Sequence, residues 1–124
     1  MTAGSDVEKR EPAGPPPPGA FVRVTLGFYE GLEVPVDREW MVIGRGRSAD
    51  LVIAESTISR SHAAVGFDAE GYFVQDLGST NGTRVNGRRE SHVRLADGDE
   101  LQLGKLQFRV GLPDQEDRPG SAAS

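Results

Sequence analysis

Short apolar runs with period two, cut at close intervals by glycine-containing turns, leave the middle of this chain little choice but a β-fold. Phe21-Val22-Arg23-Val24-Thr25-Leu26, Leu32-Glu33-Val34-Pro35-Val36 and Trp40-Met41-Val42-Ile43 read as strands. Further runs follow at Leu51-Val52-Ile53, Ala63-Ala64-Val65-Gly66-Phe67, Tyr72-Phe73-Val74, Thr83-Arg84-Val85, Val93-Arg94-Leu95, Leu101-Gln102-Leu103 and Leu106-Gln107-Phe108-Arg109-Val110. The separators are Glu30-Gly31, Ala69-Glu70-Gly71, Asn81-Gly82, Asn86-Gly87 and Asp97-Gly98-Asp99, and Gly104-Lys105 would close the last hairpin. Asn-Gly suits the positive φ values of tight hairpins. No window sustains a helical stripe and no internal repeat is visible, so the expected class is all-β, a sandwich or barrel.

The 124 residues allow one domain with a workable core. Residues 1–19 end in Ala13-Gly14-Pro15-Pro16-Pro17-Pro18-Gly19 and read as an extended, solvated tail. The proline run serves as a spacer or as a ligand for an SH3-like groove. Residues 112–124 read as a second disordered tail, which leaves a folded unit over 20–111. The chain has no Cys, which removes disulfides, zinc-thiolate sites and thiol nucleophiles together. Neither a signal peptide nor an apolar stretch long enough to cross a bilayer is present, so a cytoplasmic, membrane-free protein is expected. A net charge of -5 argues against a nucleic-acid partner.

Charge placement says more than the total. Acidic residues gather in the tails, whereas Arg45, Arg47, Arg60, Arg84, Arg88 and Arg89 sit beside turn residues in the middle. Three segments, Ile43-Gly44-Arg45-Gly46-Arg47-Ser48-Ala49-Asp50, Ile58-Ser59-Arg60-Ser61-His62-Ala63 and Leu77-Gly78-Ser79-Thr80-Asn81-Gly82-Thr83, are loops rich in hydrogen-bonding groups. Loops at one end of an antiparallel sandwich lie together, so the three can converge. Guanidinium, hydroxyl, amide and backbone N–H donors in one patch suit a phosphate. A phosphothreonine carries nearly two negative charges and three acceptor oxygens, best hosted by a planar Arg fork with short hydroxyl donors, and Arg45, Ser59 and Thr80 supply that set. Hydrogen bonds to a charged group contribute about 1.5 to 3 kcal/mol each, so a few support micromolar binding, about 8 kcal/mol.

Gly44-Arg45, Ser59-Arg60-x-His62 and Ser79-Thr80-Asn81-Gly82-Thr83 with Val85-Asn86-Gly87 resemble the signature of the forkhead-associated (FHA) domain. The resemblance spans about 22 to 110 and includes the stretch from Leu95 to Gly104. It implies an eleven-strand β-sandwich without catalytic activity that recognises phosphothreonine peptides. It further implies that Arg45 and Ser59 bind the phosphate, that Thr80 assists, and that Arg60 and Asn81 hold the peptide backbone. Gly44, His62, Gly82 and Asn86 would be structural, His62 tying the binding loops together beneath the site. Thr57, two residues before the motif serine, is uncharged, which predicts no acidic preference at the third ligand position after the phosphothreonine. The implied partner is a threonine-phosphorylated kinase or kinase substrate, bound by a monomeric, free-standing adaptor that uses no cofactor. Thr2, on the first tail, could regulate the site if phosphorylated.

Rival chemistries fit less well. Gly44-Arg45-Gly46-Arg47-Ser48-Ala49 approximates a dinucleotide-binding loop, yet a strand rather than a helix resumes at Leu51. Ser59, His62 and Asp76 could form a hydrolase triad, but no nucleophile-elbow sequence surrounds the serine. Asn81-Gly82-Thr83 matches a glycosylation pattern better explained by a hairpin turn. His62 and His92 do not make a metal site. Arg47, Arg84, Arg88 and Arg89 are either solvated charge or ligand contacts. Trp40, Phe21, Phe28, Phe67, Tyr72, Phe73 and Phe108 read as core or core-rim packing. The remaining alternative is a sandwich of the same shape serving as a phosphate-independent assembly module.

Overall fold

The computed structural model describes residues 14–113. Its elements are all strands: β1 (Phe21–Leu26), β2 (Glu33–Pro35), β3 (Trp40–Gly44), β4 (Leu51–Val52), β5 (Ala63–Asp68), β6 (Gly71–Asp76), β7 (Thr83–Val85), β8 (Arg88–Arg89), β9 (His92–Arg94), β10 (Glu100–Leu103) and β11 (Leu106–Gly111). They form a six-stranded sheet of order β2-β1-β11-β10-β7-β8 and a five-stranded sheet of order β4-β3-β5-β6-β9. This is the eleven-strand sandwich that the family resemblance implied.

Alternation decides which face each strand buries. Val22 and Val24 of β1, Leu101 and Leu103 of β10, and Leu106, Phe108 and Val110 of β11 point inward, while Arg23 and Arg109 between them, and Glu100 at the start of β10, face water. From the other sheet come Met41, Ile43, Ala63, Val65 and Val74. Each large apolar side chain so buried contributes about 1.5 to 3 kcal/mol. β5 departs from alternation because it is covered on both faces: Ala63, Ala64 and Val65 are all 0 % exposed. On its outer side the Phe73 ring lies across Gly66, its cross-strand partner, in space that a Cβ would fill. Trp40 and His92 flank that ring, with centroids 6.2 and 5.0 Å away.

Several expectations need correction. The pairing is not wholly antiparallel, since β3 and β4 run parallel, Ile43 beside Leu51 and Gly44 beside Val52. A parallel partner ordinarily needs a long crossover, but β4 has only two residues, so the chain must retrace only about 7 Å. The loop 45–50 manages this by anchoring Asp50 to Val42 through both its backbone N–H (2.9 Å) and its carboxylate (2.8 Å). Asn81-Gly82 is not a hairpin turn, because β6 and β7 belong to different sheets and the segment carries the chain between them. Asn86-Gly87 is one: both residues have positive φ, 53° and 87°, and Val85 pairs with Arg88. Phe28 is 88 % exposed rather than core or rim, its ring standing edge-on to Tyr29. Pro16, within the segment expected to be solvated, is buried, and Leu112 joins the core. Thr2 and the rest of residues 1–13 and 114–124 lie outside the described residues.

Candidate functional site

Strand direction brings the polar loops together. β3 and β6 both run antiparallel to β5, so the end of β3, the start of β5 and the end of β6 share one end of the sandwich. The start of β7 and the β10–β11 turn, joined by the pairing of Thr83 with Leu103, reach the same end, where His62 bonds the Gly82 carbonyl and the Lys105 N–H bonds Thr57 Oγ1. Loops 45–50, 53–62 and 77–82 therefore converge, as expected.

Arg45 leaves the end of β3 exposed, with its backbone N–H on the Ser59 carbonyl (3.0 Å) and its Nε donating to the Ile58 carbonyl (2.9 Å). Nε being used in this way, the guanidinium is aimed by the fold while both terminal nitrogens remain without a partner among the described residues. Ser59 Oγ accepts the Thr80 backbone N–H (3.0 Å), which links the second loop to the third and leaves the hydroxyl hydrogen to donate elsewhere. Asn81 Nδ2 donates to the Thr57 carbonyl (2.8 Å), so its Oδ1 stays available as an acceptor. Arg60 and Thr80 are exposed beside them.

Beneath this surface lies His62, 0 % exposed. Its Nδ1 accepts the Ser59 backbone N–H (3.1 Å) and its Nε2 bonds the Gly82 carbonyl (2.8 Å). An accepting Nδ1 places the ring hydrogen on Nε2, so one imidazole joins two loops twenty residues apart. Gly44 is required by close approach rather than by φ: a Cβ there would overlap the Arg60 carbonyl, which receives the Gly46 N–H (3.1 Å). Gly82 has φ +84°, and the Arg89 guanidinium packs against it. Asn86 stands apart in the β7–β8 turn, its amide exchanging hydrogen bonds with Asp99 (3.0 Å) and the Glu100 N–H (3.0 Å).

Asp76 organises the third loop, a part sequence reasoning missed. Its Oδ1 accepts the hydroxyls of Ser79 (2.6 Å) and Thr83 (2.7 Å), and its Oδ2 the N–H groups of Gly78 and Ser79 (both 3.0 Å). Burial pushes this carboxyl up, but the hydrogen bonds from Ser79, Thr83 and Gly78 outweigh it and hold the pKa below the usual carboxylate value. The signal was available: an Asp followed two and three residues later by Gly and Ser is the pattern of an Asx turn. The same bonds dispose of the triad, since Asp76 serves its own loop and His62 meets Ser59 through backbone alone. Thr57 is also engaged within the protein, donating to Glu55 (2.9 Å) and accepting the Lys105 N–H (2.8 Å).

The family model for the FHA domain matches residues 41–104, just over half of the chain. The oxoglutarate dehydrogenase inhibitor of Corynebacterium jeikeium is 34% identical over 110 residues, covering 87% of this chain and 76% of the relative. The glycogen accumulation regulator GarA of Mycobacterium tuberculosis is 35% identical over 117 residues, covering 93% of this chain and 72% of the regulator. A solved structure from work on phosphothreonine-dependent FHA domain interactions superposes with a TM-score of 0.71 at 29% identity, covering 77% of this chain and 98% of that one. Among the described residues no helix is long and apolar enough to cross a membrane.

Proposed function

The chain belongs to the FHA domain family, and on that premise we propose that Arg45, Ser59 and Thr80 hold the phosphate of a phosphothreonine in a partner protein. FHA domains are phosphothreonine-dependent protein-binding modules, and this one is an adaptor in serine/threonine kinase signalling. The observation that carries the residue assignment is the poise of Arg45, whose Nε is held by the Ile58 carbonyl (2.9 Å) next to Ser59. Its two free nitrogens form the fork that a phosphate accepts, and charge-assisted bonds of that kind are about twice as strong as neutral ones. Ser59 donates its remaining hydrogen, and Thr80 adds its hydroxyl from the opposite loop.

Arg60 and Asn81 hold the peptide backbone on either side of the phosphothreonine, Asn81 through the Oδ1 left over from its bond to Thr57. His62, Gly44 and Gly82 keep the loops at their working separation, and Asn86 shapes the β7–β8 turn. The protein acts by binding rather than by catalysis, as a cytoplasmic monomer without cofactor, membrane or nucleic-acid contact. Its partner is a kinase phosphorylated on threonine or the substrate of one.

Threonine is distinguished from serine by one methyl, worth about 1 to 3 kcal/mol in a fitted pocket, so the expected bias is strong without being absolute. Capture from degenerate phosphothreonine, phosphoserine and unphosphorylated peptide libraries tests the assignment. Selective retention of phosphothreonine peptides supports it, and equal or absent retention in all three sinks it.

A further inference from the structure

The arginines of the described residues divide into two groups. Arg23, Arg38, Arg94 and Arg109 form ion pairs of 2.7, 3.0, 2.7 and 3.8 Å with carboxylates. Arg45, Arg47, Arg60, Arg84, Arg88 and Arg89 form none among the described residues. The first three of these stand on loops 45–50 and 53–62, at the end of the sandwich where the candidate site lies. The other three lie on the β7–β8 hairpin, at the open edge of the six-stranded sheet.

Arg84 and Arg89 are direct cross-strand partners, and side chains of such a pair leave the same face of the sheet. Both are exposed. Like charges set directly opposite each other are destabilising, and Glu90, the nearest acid in sequence, forms no ion pair with either. Neither charge is therefore neutralised by the fold, whose contacts with the pair are a long bond from Arg84 Nη1 to the Gly87 carbonyl (3.5 Å) and the packing of Arg89 against Gly82. Arg89 also leans toward the site: a Cβ placed on Gly82 would lie 2.7 Å from its Nε and Cζ. Gly82 adjoins Asn81, so a guanidinium stands one residue from the assigned peptide-holding amide. Thr57 cannot supply a charge preference from the other side, being uncharged and bonded within the protein.

Resting on the phosphothreonine assignment above, we propose that Arg84 and Arg89 form an acid-binding extension of the site, which selects partner segments carrying Asp or Glu beside the phosphothreonine. Carboxylates are the occupant because the surface adjoins the assigned peptide-holding Asn81 and supplies two exposed guanidinium groups with no carboxylate partner among the described residues, whose forks match a carboxylate bidentately. Arg88, beside the β7–β8 turn, adds long-range attraction.

Three phosphothreonine peptides test this: one with neutral flanks, one with two Asp residues before the phosphothreonine and one with two after. Each is titrated by calorimetry against the wild-type protein and the double variant Arg84→Gln/Arg89→Gln. The wild type should bind one acidic peptide roughly three- to tenfold more tightly than the neutral one, with the advantage shrinking at high salt. In the double variant that advantage should vanish, affinity for the neutral peptide should persist, and the melting temperature should hold or rise as the repulsion is relieved. Equal wild-type affinity for all three peptides overturns the proposal, as does an acidic advantage that survives in the variant. A markedly lower melting temperature would assign the pair to folding and overturn it too. Failure of the wild type to bind even the neutral peptide would instead strike the phosphothreonine assignment itself.

Discussion

Truncating His62 to alanine should do more damage to the fold than its position near a loop suggests. The ring is 0 % exposed and makes two hydrogen bonds, to the Ser59 N–H at 3.1 Å and the Gly82 carbonyl at 2.8 Å. Removing it leaves the buried Gly82 carbonyl and the part-buried Ser59 N–H without a partner, at about 1 to 3 kcal/mol each, and opens space where the imidazole packed. The sum is about 3 to 5 kcal/mol, a large share of the roughly 5 to 15 kcal/mol that holds a domain of this kind folded. Urea unfolding should show a lower midpoint with an unchanged slope. His62→Gln can place an amide N–H near Nε2, and His62→Asn an acceptor near Nδ1, so each should recover part of the loss. The untied loops should also bind phosphopeptide more weakly, because ordering them becomes part of the cost of binding. A loss below about 1 kcal/mol for His62→Ala, or no recovery in either amide variant, would refute the view that this ring clasps the two loops.

Arg45→Ala should lower phosphopeptide affinity by about 2 to 5 kcal/mol and cost the fold only the bond from Nε to the Ile58 carbonyl, about 0.5 to 1.5 kcal/mol; calorimetry that finds unaltered affinity removes Arg45 from the phosphate site. Binding should weaken as pH falls below about 6, where the phosphate gains a proton, and a flat response between pH 5 and 7.5 in fluorescence titrations would contradict a dianion site. Asp76 has a depressed carboxyl pKa, so its stabilisation is complete above the ordinary carboxylate value of 3.8 and is lost as pH falls through the lower folded-state value. Asp76→Asn should therefore be the less stable protein at neutral pH, with the gap closing under acid in parallel urea titrations.

What could be read in the chain and what could not divide along a physical line. That Arg45, Ser59, Thr80 and Asn81 lie together was legible because they stand in loops that a sandwich must bring to one end. The strands were legible because alternation alone places Val22, Val24, Leu101, Leu103, Phe108 and Val110 in the core. The two Asn-Gly pairs show the limit. Local preference is the same for both, yet Asn86-Gly87 closes a hairpin while Asn81-Gly82 crosses between sheets. The difference lies in which strands pair afterwards, a long-range outcome that no dipeptide encodes. The parallel return of β4 and the approach of Arg89 to Gly82 were hidden for the same reason. Phe28 misled because hydrophobicity in a short run says nothing of whether the run ends before it, and β1 stops at Leu26.

On the proposed assignment, the site solves a problem that any shallow binding surface faces. Loops that carry ligand groups are exposed, and exposed loops lose entropy when a ligand orders them, about 0.5 to 1.5 kcal/mol for each side chain immobilised. Here that ordering is completed during folding. Arg45 is held at Nε, Ser59 at both its backbone N–H and its hydroxyl oxygen, Thr80 at its N–H and Asn81 at its amide, and each partner is an atom of the protein itself. The atoms left over are the two guanidinium ends, a hydroxyl hydrogen, a threonine hydroxyl and an amide oxygen, which are those a phosphorylated peptide can use. Affinity can then come from few contacts because little of their strength goes into ordering the protein. It follows that mutations beneath the surface, at His62, Gly44 and Asp76, should lower affinity without touching the ligand, and their effects on binding should track their effects on loop order.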